Sequence, residues 1–311
     1  MLTKEQITEW FKSLQDAICI SLEDTDGKGK FQEENWLREE GGGGRTRILQ
    51  NGNIIEKGGV NFSAVHGDVP DFLTKEHSTS KTEKNTFYAT GVSIVMHPHN
   101  PMVPIIHMNV RYFEMNNGTW WFGGGIDLTP HYVNDSDAVF FHSSLKAACD
   151  KHNPNYYSDF KKWADDYFFI PHRKETRGIG GIFFDKLTQR ETSASSPTMD
   201  QLFAFVQEIG NSFAPIYTSL MNKNKNLPYT DNNKQWQLLR RGRYVEFNLV
   251  YDKGTKFGLE TNGRIESILM SLPQTAGWVY NFTPLPNSPE EKTLSLLKKD
   301  INWLSKEQSI N

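Results

Sequence analysis

The stretch HPHNPMVPIIHMNVRYFEMNNGTWWFGGGIDLTP, residues 97–130, decides the fold that we predict for this chain. Two apolar-rich segments, TGVSIVM and VPIIHMNVRYF, flank a proline-studded connection, and residues 119–128 form a third segment of the same kind. Short segments in which apolar and polar residues alternate are typical of strands that cover a core with one face. We therefore predict a β-hairpin followed by a further strand.

Strand side chains alternate between two faces, so residues of one parity share a face. The polar side chains of the two segments share one parity: Ser93, His97, His107, Asn109 and Arg111. If the segments pair antiparallel about Met102, His97 lies opposite His107 and Ser93 lies opposite Arg111. A solvated polar face is the plainer interpretation of each residue alone. The combination of His, Asn, Arg and Ser beside Met and aromatic residues favours a site.

Composition excludes several classes of protein. The chain has 311 residues, of which 37% are hydrophobic and 23% are charged, as in an ordinary globular protein. Its net charge of -3 argues against a general nucleic-acid binder. The two cysteines have no metal-site or disulfide-framework spacing, and no apolar run approaches the roughly 20 residues that span a bilayer. The start of the chain also lacks signal-peptide features. We expect a cytoplasmic protein without an integral membrane segment.

Elsewhere, runs of strands alternate with groups of helices. Apolar spacing predicts helices at 4–22, 135–152, 156–169 and 198–223, and the capping sequence SPEE begins a last helix at Ser288. Strands are predicted within 41–67, and again in GRYVEFNLVYD, TKFGLE and RIESILMSLP between 242 and 273. Such grouping indicates an α+β fold with an antiparallel sheet. We expect a single domain over residues 1–311, with the helix at 4–22 on its periphery.

Histidine and arginine suggest two kinds of chemistry. Imidazoles from two strands, a helix and a loop could bind a divalent metal, although no pair has a diagnostic spacing: His97, His107, His142 and His172. His142 lies on the apolar side of its helix and should face the core. Many arginines lie beside glycine-rich or strand-end segments, and arginine binds carboxylates or phosphates bidentately.

Asp127 follows three glycines at the end of a strand. Glycine permits close approach of a ligand or another backbone, so a carboxylate there could accept hydrogen bonds from N–H groups or act as a base. The alternative is that Asp127 caps a turn in its Asp-x-Thr-Pro context.

Four long segments carry a family resemblance: TGVSIVMHPHNPMVPIIHMNVRYFE (90–114), WWFGGGIDLTPHY (120–132), DDYFFIPHRKETRGIGGIFFD (165–185) and GRYVEFNLVYDKGTKFGLETNGRIESILMSLP (242–273). In these segments, and over roughly residues 35–305, the chain resembles the oxygen-dependent coproporphyrinogen III oxidases. The resemblance implies a large antiparallel sheet with helices on both faces, and a homodimer.

The resemblance also implies roles for residues. His107 matches a proton donor, and Asp127 matches an aspartate that holds pyrrole N–H groups. The expected catalytic residues are therefore His107, Asp127 and Arg111. The expected metal ligands are His97, His107, His142 and His172. The expected substrate contacts are Ser93, Asn109, Val110, Arg111, Asn262, Gly263 and Arg264. Asn262 departs from the glycine of many relatives, but asparagine tolerates a left-handed backbone.

The implied reaction is the oxidative decarboxylation of two propionates of coproporphyrinogen III to vinyl groups, giving protoporphyrinogen IX in haem biosynthesis. Molecular oxygen is the co-substrate, and carbon dioxide and hydrogen peroxide leave. Because the macrocycle is electron-rich, we expect no flavin, haem or nicotinamide, and a divalent metal is possible but not required. Two alternatives remain: a metal-dependent hydrolase that uses the four histidines, and a non-catalytic tetrapyrrole-binding protein.

Overall fold

A seven-stranded antiparallel sheet organises the protein in the computed structural model, which describes residues 2–69, 85–189, 196–260 and 263–309. Its strands, in spatial order, are β1 (Gln32–Leu37), β2 (Gly42–Gln50), β3 (Ile55–Asp68), β4 (Thr86–Pro98), β5 (Ile105–Met115), β6 (Trp120–Thr129) and β9 (Gly181–Leu187). A separate two-stranded sheet consists of β7 (Phe169–Ile170) and β8 (Glu175–Thr176). The antiparallel sheet predicted from the sequence is confirmed.

Helices cover both faces of the sheet. They are α1 (Lys4–Asp26), α2 (Asp135–Asp150), α3 (Tyr156–Tyr167), α4 (Met199–Asn224), α5 (Asp231–Val250), α6 (Lys253–Glu260), α7 (Ile265–Leu269) and α8 (Pro289–Leu296), followed by a 3-10 helix (Leu304–Ser309). The main core lies on one face, where α1, α2 and α4 pack on strand residues such as Ile94, Met108 and Ile126. On the other face, Tyr244 of α5 packs on Val95 and Ile105. The α+β prediction is confirmed.

Helix α1 begins with a reciprocal capping box between Thr3 and Gln6, and ends at Gly27 in the left-handed region. Its apolar stripe, which includes Ile7, Phe11 and Ile18, is buried in the main core. The helix thus packs one face on the core and leaves residues such as Ile20 exposed, and its peripheral position stays a prediction. None of the described helices combines the length and the apolarity that crossing a bilayer would require.

The strands predicted between 242 and 273 are wrong. Helix α5 starts at a capping box between Thr230 and Asn233 and continues through the GRYVEFNLV segment, and α6 and α7 occupy the other two segments. One side of α5 is buried although it carries charge, because Arg240 and Arg241 form ion pairs with Glu175 and Glu56. Buried arginines interrupt the apolar spacing by which an amphipathic helix is recognised.

The predicted hairpin exists, but its register is wrong by two residues. Val95 lies opposite His107 and Ser93 lies opposite Asn109, so Arg111 faces Gly91 instead of Ser93. The turn is set by Asn100, whose backbone carbonyl accepts from the Val103 N–H and whose side chain accepts from the Met102 N–H. A shift of two residues keeps every side chain on its predicted face. The parity of the strands is therefore confirmed.

Candidate active site

A row of polar side chains crosses the sheet on the face opposite to the main core. Directly paired residues on four adjacent strands form it: Thr46, Asn61, Ser93 and Asn109. The row continues to Gly125 on β6, where no side chain stands above the sheet. Because paired residues in an antiparallel sheet point to the same side, this arrangement follows from strand alternation and register. We call these four side chains the polar row.

One step along the strands on one side of the polar row lie His107 and Asp127, which are paired across β5 and β6. One step on the other side lies Arg111, between Gly91 and Gly123. His107, Asp127 and Arg111, which the resemblance groups as catalytic, thus lie on one face of two adjacent strands.

Asp127 is a buried carboxylate whose two oxygens are both engaged. Oδ1 lies 2.8 Å from His107 Nδ1 and 2.6 Å from Arg177 Nη2, and Oδ2 accepts from Arg177 Nε at 3.2 Å. Burial alone would raise the pKa of Asp127, but the charge of Arg177 and the hydrogen bond from His107 outweigh it and lower that pKa. An ionised carboxylate only accepts hydrogen bonds, so the proton of this pair is on His107 Nδ1.

This geometry bears on two interpretations of Asp127, the turn cap and the contact with pyrrole N–H groups. Asp127 caps no turn, because it lies within β6 and its side chain bonds across the sheet. It is also 1% exposed, so direct contact with pyrrole N–H groups does not fit the conformation observed. Asp127 is instead placed to orient the imidazole of His107, whose side chain is 21% exposed and whose Nε2 is the nitrogen that a ligand can approach.

Arg177 provides the buried counter-charge. Its guanidinium lies 4.4 Å from the ring centroid of Phe168 and 4.7 Å from those of Tyr244 and Phe247, and Nη1 donates to Asn248 Oδ1 at 2.8 Å. Three aromatic faces stabilise a guanidinium that is withdrawn from water. No feature of the sequence distinguishes Arg177 from the other arginines beside glycine-rich segments. Its partner is 50 residues away in the chain, so no local pattern indicates the pair.

The Arg111 guanidinium lies over Gly123 on the neighbouring strand β6. Its Nη1 donates to Asn109 Oδ1 at 2.8 Å, and its Nη2 lies 2.9 Å from Asp185 Oδ1. A Cβ added to Gly123 would come within 2.8 Å of the Arg111 guanidinium and 2.6 Å of that carboxylate oxygen. The first glycine of the GGG run therefore makes room for this ion pair.

The other residues expected to contact substrate lie in different places in the structure. Ser93 and Asn109 lie in the polar row, but Val110 points into the main core, fully buried, so its side chain cannot contact a ligand on this face. Asn262 lies outside the described residues. Gly263 and Arg264 precede α7, and Arg264 is ion-paired with Glu34 on the edge strand β1.

Helix α7 and the residues after it cover one end of the polar row. The Ser267 hydroxyl lies 2.8 Å from that of Thr46, and the Ser267 carbonyl accepts from Asn61 at 2.8 Å. Met270 packs on Gly59 of β3. Thr46 and Asn61 are accordingly buried, whereas Ser93, Asn109 and Arg111 remain partly accessible. Sequence reasoning missed Thr46 and Asn61, although strand alternation extended to β2 and β3 would have indicated them.

The four histidines do not form one metal site. His97 and His142 are fully buried, and burial lowers the pKa of each to about 3. His97 Nε2 donates to the Ser271 carbonyl at 2.8 Å, whereas His142 bonds Tyr157 and the Ile179 carbonyl on the other side of the sheet. His172 bonds Glu246 and Tyr251. Within the described ranges, no group of three or more His, Cys, Asp or Glu side chains could hold a metal ion. The described residues therefore do not bring the four histidines together, and metal binding by them stays a prediction.

Comparison with known proteins agrees with the resemblance. A family model described as coproporphyrinogen III oxidase matches residues 6–303. The oxygen-dependent coproporphyrinogen-III oxidase of Prochlorococcus marinus strain MIT 9312 is 45% identical over 97% of this chain and 93% of that protein. The human mitochondrial protein of that name is 50% identical over 93% of this chain and 65% of its own length, and the Drosophila melanogaster protein is 50% identical over 94% and 76%. The chain belongs to the coproporphyrinogen III oxidase family.

Proposed function

We propose that the chain catalyses the oxygen-dependent decarboxylation of two propionates of coproporphyrinogen III, giving protoporphyrinogen IX. The observation that carries this proposal is the arrangement of His107, Asp127 and Arg111 on one sheet face of a chain from this family. The partly accessible part of that face carries a proton-transfer group, His107, and a carboxylate-binding group, Arg111, with Asn109 between them on the same strand. The names of the relatives support the same reaction.

The reaction balances without a redox group of the protein. In each propionate, a C–H bond and the bond to the carboxyl carbon break, a vinyl double bond forms, and carbon dioxide leaves. The two electrons and two protons that are released reduce one dioxygen to hydrogen peroxide. We therefore assign the electron transfer to the electron-rich macrocycle and dioxygen, with no flavin, haem or nicotinamide. The protein binds, orients and moves protons.

His107 is the proposed proton-transfer residue. Asp127 accepts from its Nδ1, which fixes the orientation of the ring and leaves Nε2 toward the accessible side. Because Arg177 keeps Asp127 ionised, the carboxylate also stabilises an imidazolium that forms when Nε2 takes a proton. We accordingly assign Asp127 to the positioning of His107, in place of the pyrrole contact that the resemblance implied.

Carboxylate binding is the proposed role of the neighbouring residues. Arg111 is 35% exposed and can form a bidentate pair with a propionate, and Arg264 is the second candidate. Ser93 and Asn109 supply hydrogen-bonding groups between His107 and Arg111 on the same face. Gly263 and Asn262 remain candidates only through the family resemblance.

No step of this proposal passes through a metal. Each of the four histidines that the resemblance groups as ligands makes at least one hydrogen bond of its own, and His142 lies across the sheet from His107. Activity that survives chelation and removal of trace metals supports this view. Activity that is lost and is restored by one divalent ion alone would contradict it.

We also propose a homodimer, a cytoplasmic location and one domain over residues 1–311. The family resemblance supports the first, and the single main core supports the last. The location needs a direct test, because the named relatives include a mitochondrial protein. Sedimentation analysis and fractionation of the source cells measure the first two.

Oxygen uptake with coproporphyrinogen III, followed by fluorescence of the oxidised product, tests the function itself. We expect two dioxygen molecules consumed for each protoporphyrinogen IX formed. Porphyrin binding without turnover would instead indicate a non-catalytic carrier. Hydrolysis without oxygen uptake would indicate a hydrolase, for which the dispersed histidines offer no metal centre.

A further inference from the structure

The Arg111 guanidinium is already paired with a carboxylate of the protein. Asp185 on β9 lies on the same sheet face, and its Oδ1 is 2.9 Å from Arg111 Nη2. Both side chains are partly accessible, at 35% for Arg111 and 32% for Asp185. Any substrate propionate that binds Arg111 therefore meets an internal competitor.

The contact with Asp185 is close but poorly directed. Asp185 Oδ1 is buried and has no hydrogen bond of good geometry, although the nitrogen lies at ion-pair distance. Asn109 already accepts a directed bond from Nη1, and Gly123 provides a flat floor, so the orientation of Arg111 does not depend on Asp185. A propionate that approaches from the open side could form two parallel hydrogen bonds, which are stronger than one misaligned contact.

We propose that Asp185 is a specificity-determining residue: it occupies Arg111 in the free enzyme as a stand-in for a propionate and is displaced by the substrate. This inference rests on the proposed function, because it takes a propionate as the ligand of Arg111. Asp185 lowers the affinity of Arg111 for every carboxylate, so only a ligand that gains other contacts on the same face displaces it. Weakly anchored anions are thereby rejected, and bound product leaves more easily.

The second candidate arginine has a similar arrangement. Arg264 is paired with Glu34 of β1, a side chain that is 62% exposed, and Arg264 also lies 3.3 Å from the Ser267 hydroxyl. Both arginines proposed for propionates thus have an acidic partner from an outer strand of the sheet. The repeated arrangement indicates competition at the carboxylate sites as a common feature.

The test is Asp185→Asn, with coproporphyrin III as a binding probe that does not turn over. The substitution keeps the size of the side chain and removes its charge. We expect the dissociation constant, followed by porphyrin fluorescence, to fall about two- to fivefold, the range that corresponds to loss of a partly exposed ion pair. The KM for coproporphyrinogen III should fall with it, and kcat should stay level or fall because product leaves more slowly.

Asp166→Asn is the matched control. It removes the same charge from a surface carboxylate that pairs only with Lys162 and Lys299 among the described residues, and binding should not change. If Asp185 only anchored Arg111, its removal would weaken binding; weaker or unchanged binding overturns the inference. Oxygen uptake by the wild-type protein is measured first, and its absence refutes the proposed function. If uptake is present but Asp185→Asn does not bind coproporphyrin III more tightly, only this inference is refuted.

Discussion

Arg177→Met removes the counter-charge of a buried carboxylate while it keeps an apolar stem among three aromatic rings. The side chains of Arg177 and Asp127 are 2% and 1% exposed, so Asp127 would remain in the interior as an uncompensated charge. Breaking a buried pair by removing one partner costs about 3–5 kcal/mol. We expect a loss of that size in the free energy of unfolding at neutral pH, measured by urea titration.

The pH dependence of this loss has a definite sign. In the wild-type protein, the lowered pKa of Asp127 contributes stability that is present above the unfolded-state pKa and disappears as the pH falls through the folded-state pKa. In the variant, burial raises the folded-state pKa above the unfolded one, which is about 3.9. The folded state then keeps a proton that the unfolded state has lost. The penalty therefore grows by up to about 1.4 kcal/mol per pH unit between the two pKa values.

Two further variants make this test specific. Arg177→Met combined with Asp127→Asn removes both charges and should recover most of the lost stability, but not the activity. Arg38→Met breaks a partly exposed pair, 3.2 Å from Glu40, and should cost less than about 1 kcal/mol. A penalty for Arg177→Met that is the same at pH values from about 5 to about 7, or no larger than that of Arg38→Met, would refute the reasoning.

Three other substitutions test proton transfer by His107, the space that Gly123 leaves for Arg111, and a turn held by Asp26. His107→Asn should lower kcat by about 10²- to 10³-fold with porphyrin binding retained, since general acid–base catalysis contributes on that order; equal losses in the exposed His152→Asn control would contradict the assignment. Gly123→Ala should raise KM, because its Cβ would meet the Arg111 guanidinium at 2.8 Å, whereas Gly254→Ala, with its nearest neighbour at 3.3 Å, should not. Asp26→Asn should cost about 1–3 kcal/mol at neutral pH, because that carboxylate accepts the backbone N–H groups of Gly29, Ile54 and Ile55. Burial opposes ionisation of Asp26, but these hydrogen bonds outweigh it and lower its pKa. The difference in free energy of unfolding between wild type and variant should therefore narrow below about pH 4. A difference that widened there would contradict this prediction.

Features that repeat along a strand could be predicted from the sequence. Strand alternation placed Ser93, His107 and Arg111 on one face, and the structure agrees. The register depended on the turn, where Asn100 uses both its carbonyl and its side chain to close the chain two residues away from the predicted pairing. Turn chemistry involves few residues, so a small difference moves the pairing without changing the face.

Features that depend on distant partners could not be predicted. The alternating pattern of residues 242–252 is compatible with a strand, but Arg240 and Arg241 are buried through ion pairs with Glu175 and Glu56, and the segment is helical. The sequence interpretation grouped the histidines by residue type. In the structure, however, buried His97 makes its own hydrogen bond to the Ser271 carbonyl. Only tertiary contacts decide which polar groups meet.

The order of pairing in the sheet has a consequence for synthesis. Strands β1 to β6 are neighbours in sequence and in space, whereas β9, which completes the sheet beyond β6, follows Arg177. A chain that emerges from the ribosome can pair its first six strands while β6 is still an unprotected edge. In such an intermediate Asp127 would stand on the edge strand without its partner Arg177, and charges on edge strands discourage pairing with other chains. The Asp127 carboxylate would then reduce aggregation of the nascent sheet until Arg177 is synthesised and pairs with it. Pulse-labelled hydrogen exchange should accordingly show the outer amides of β6 gaining protection together with those of β9.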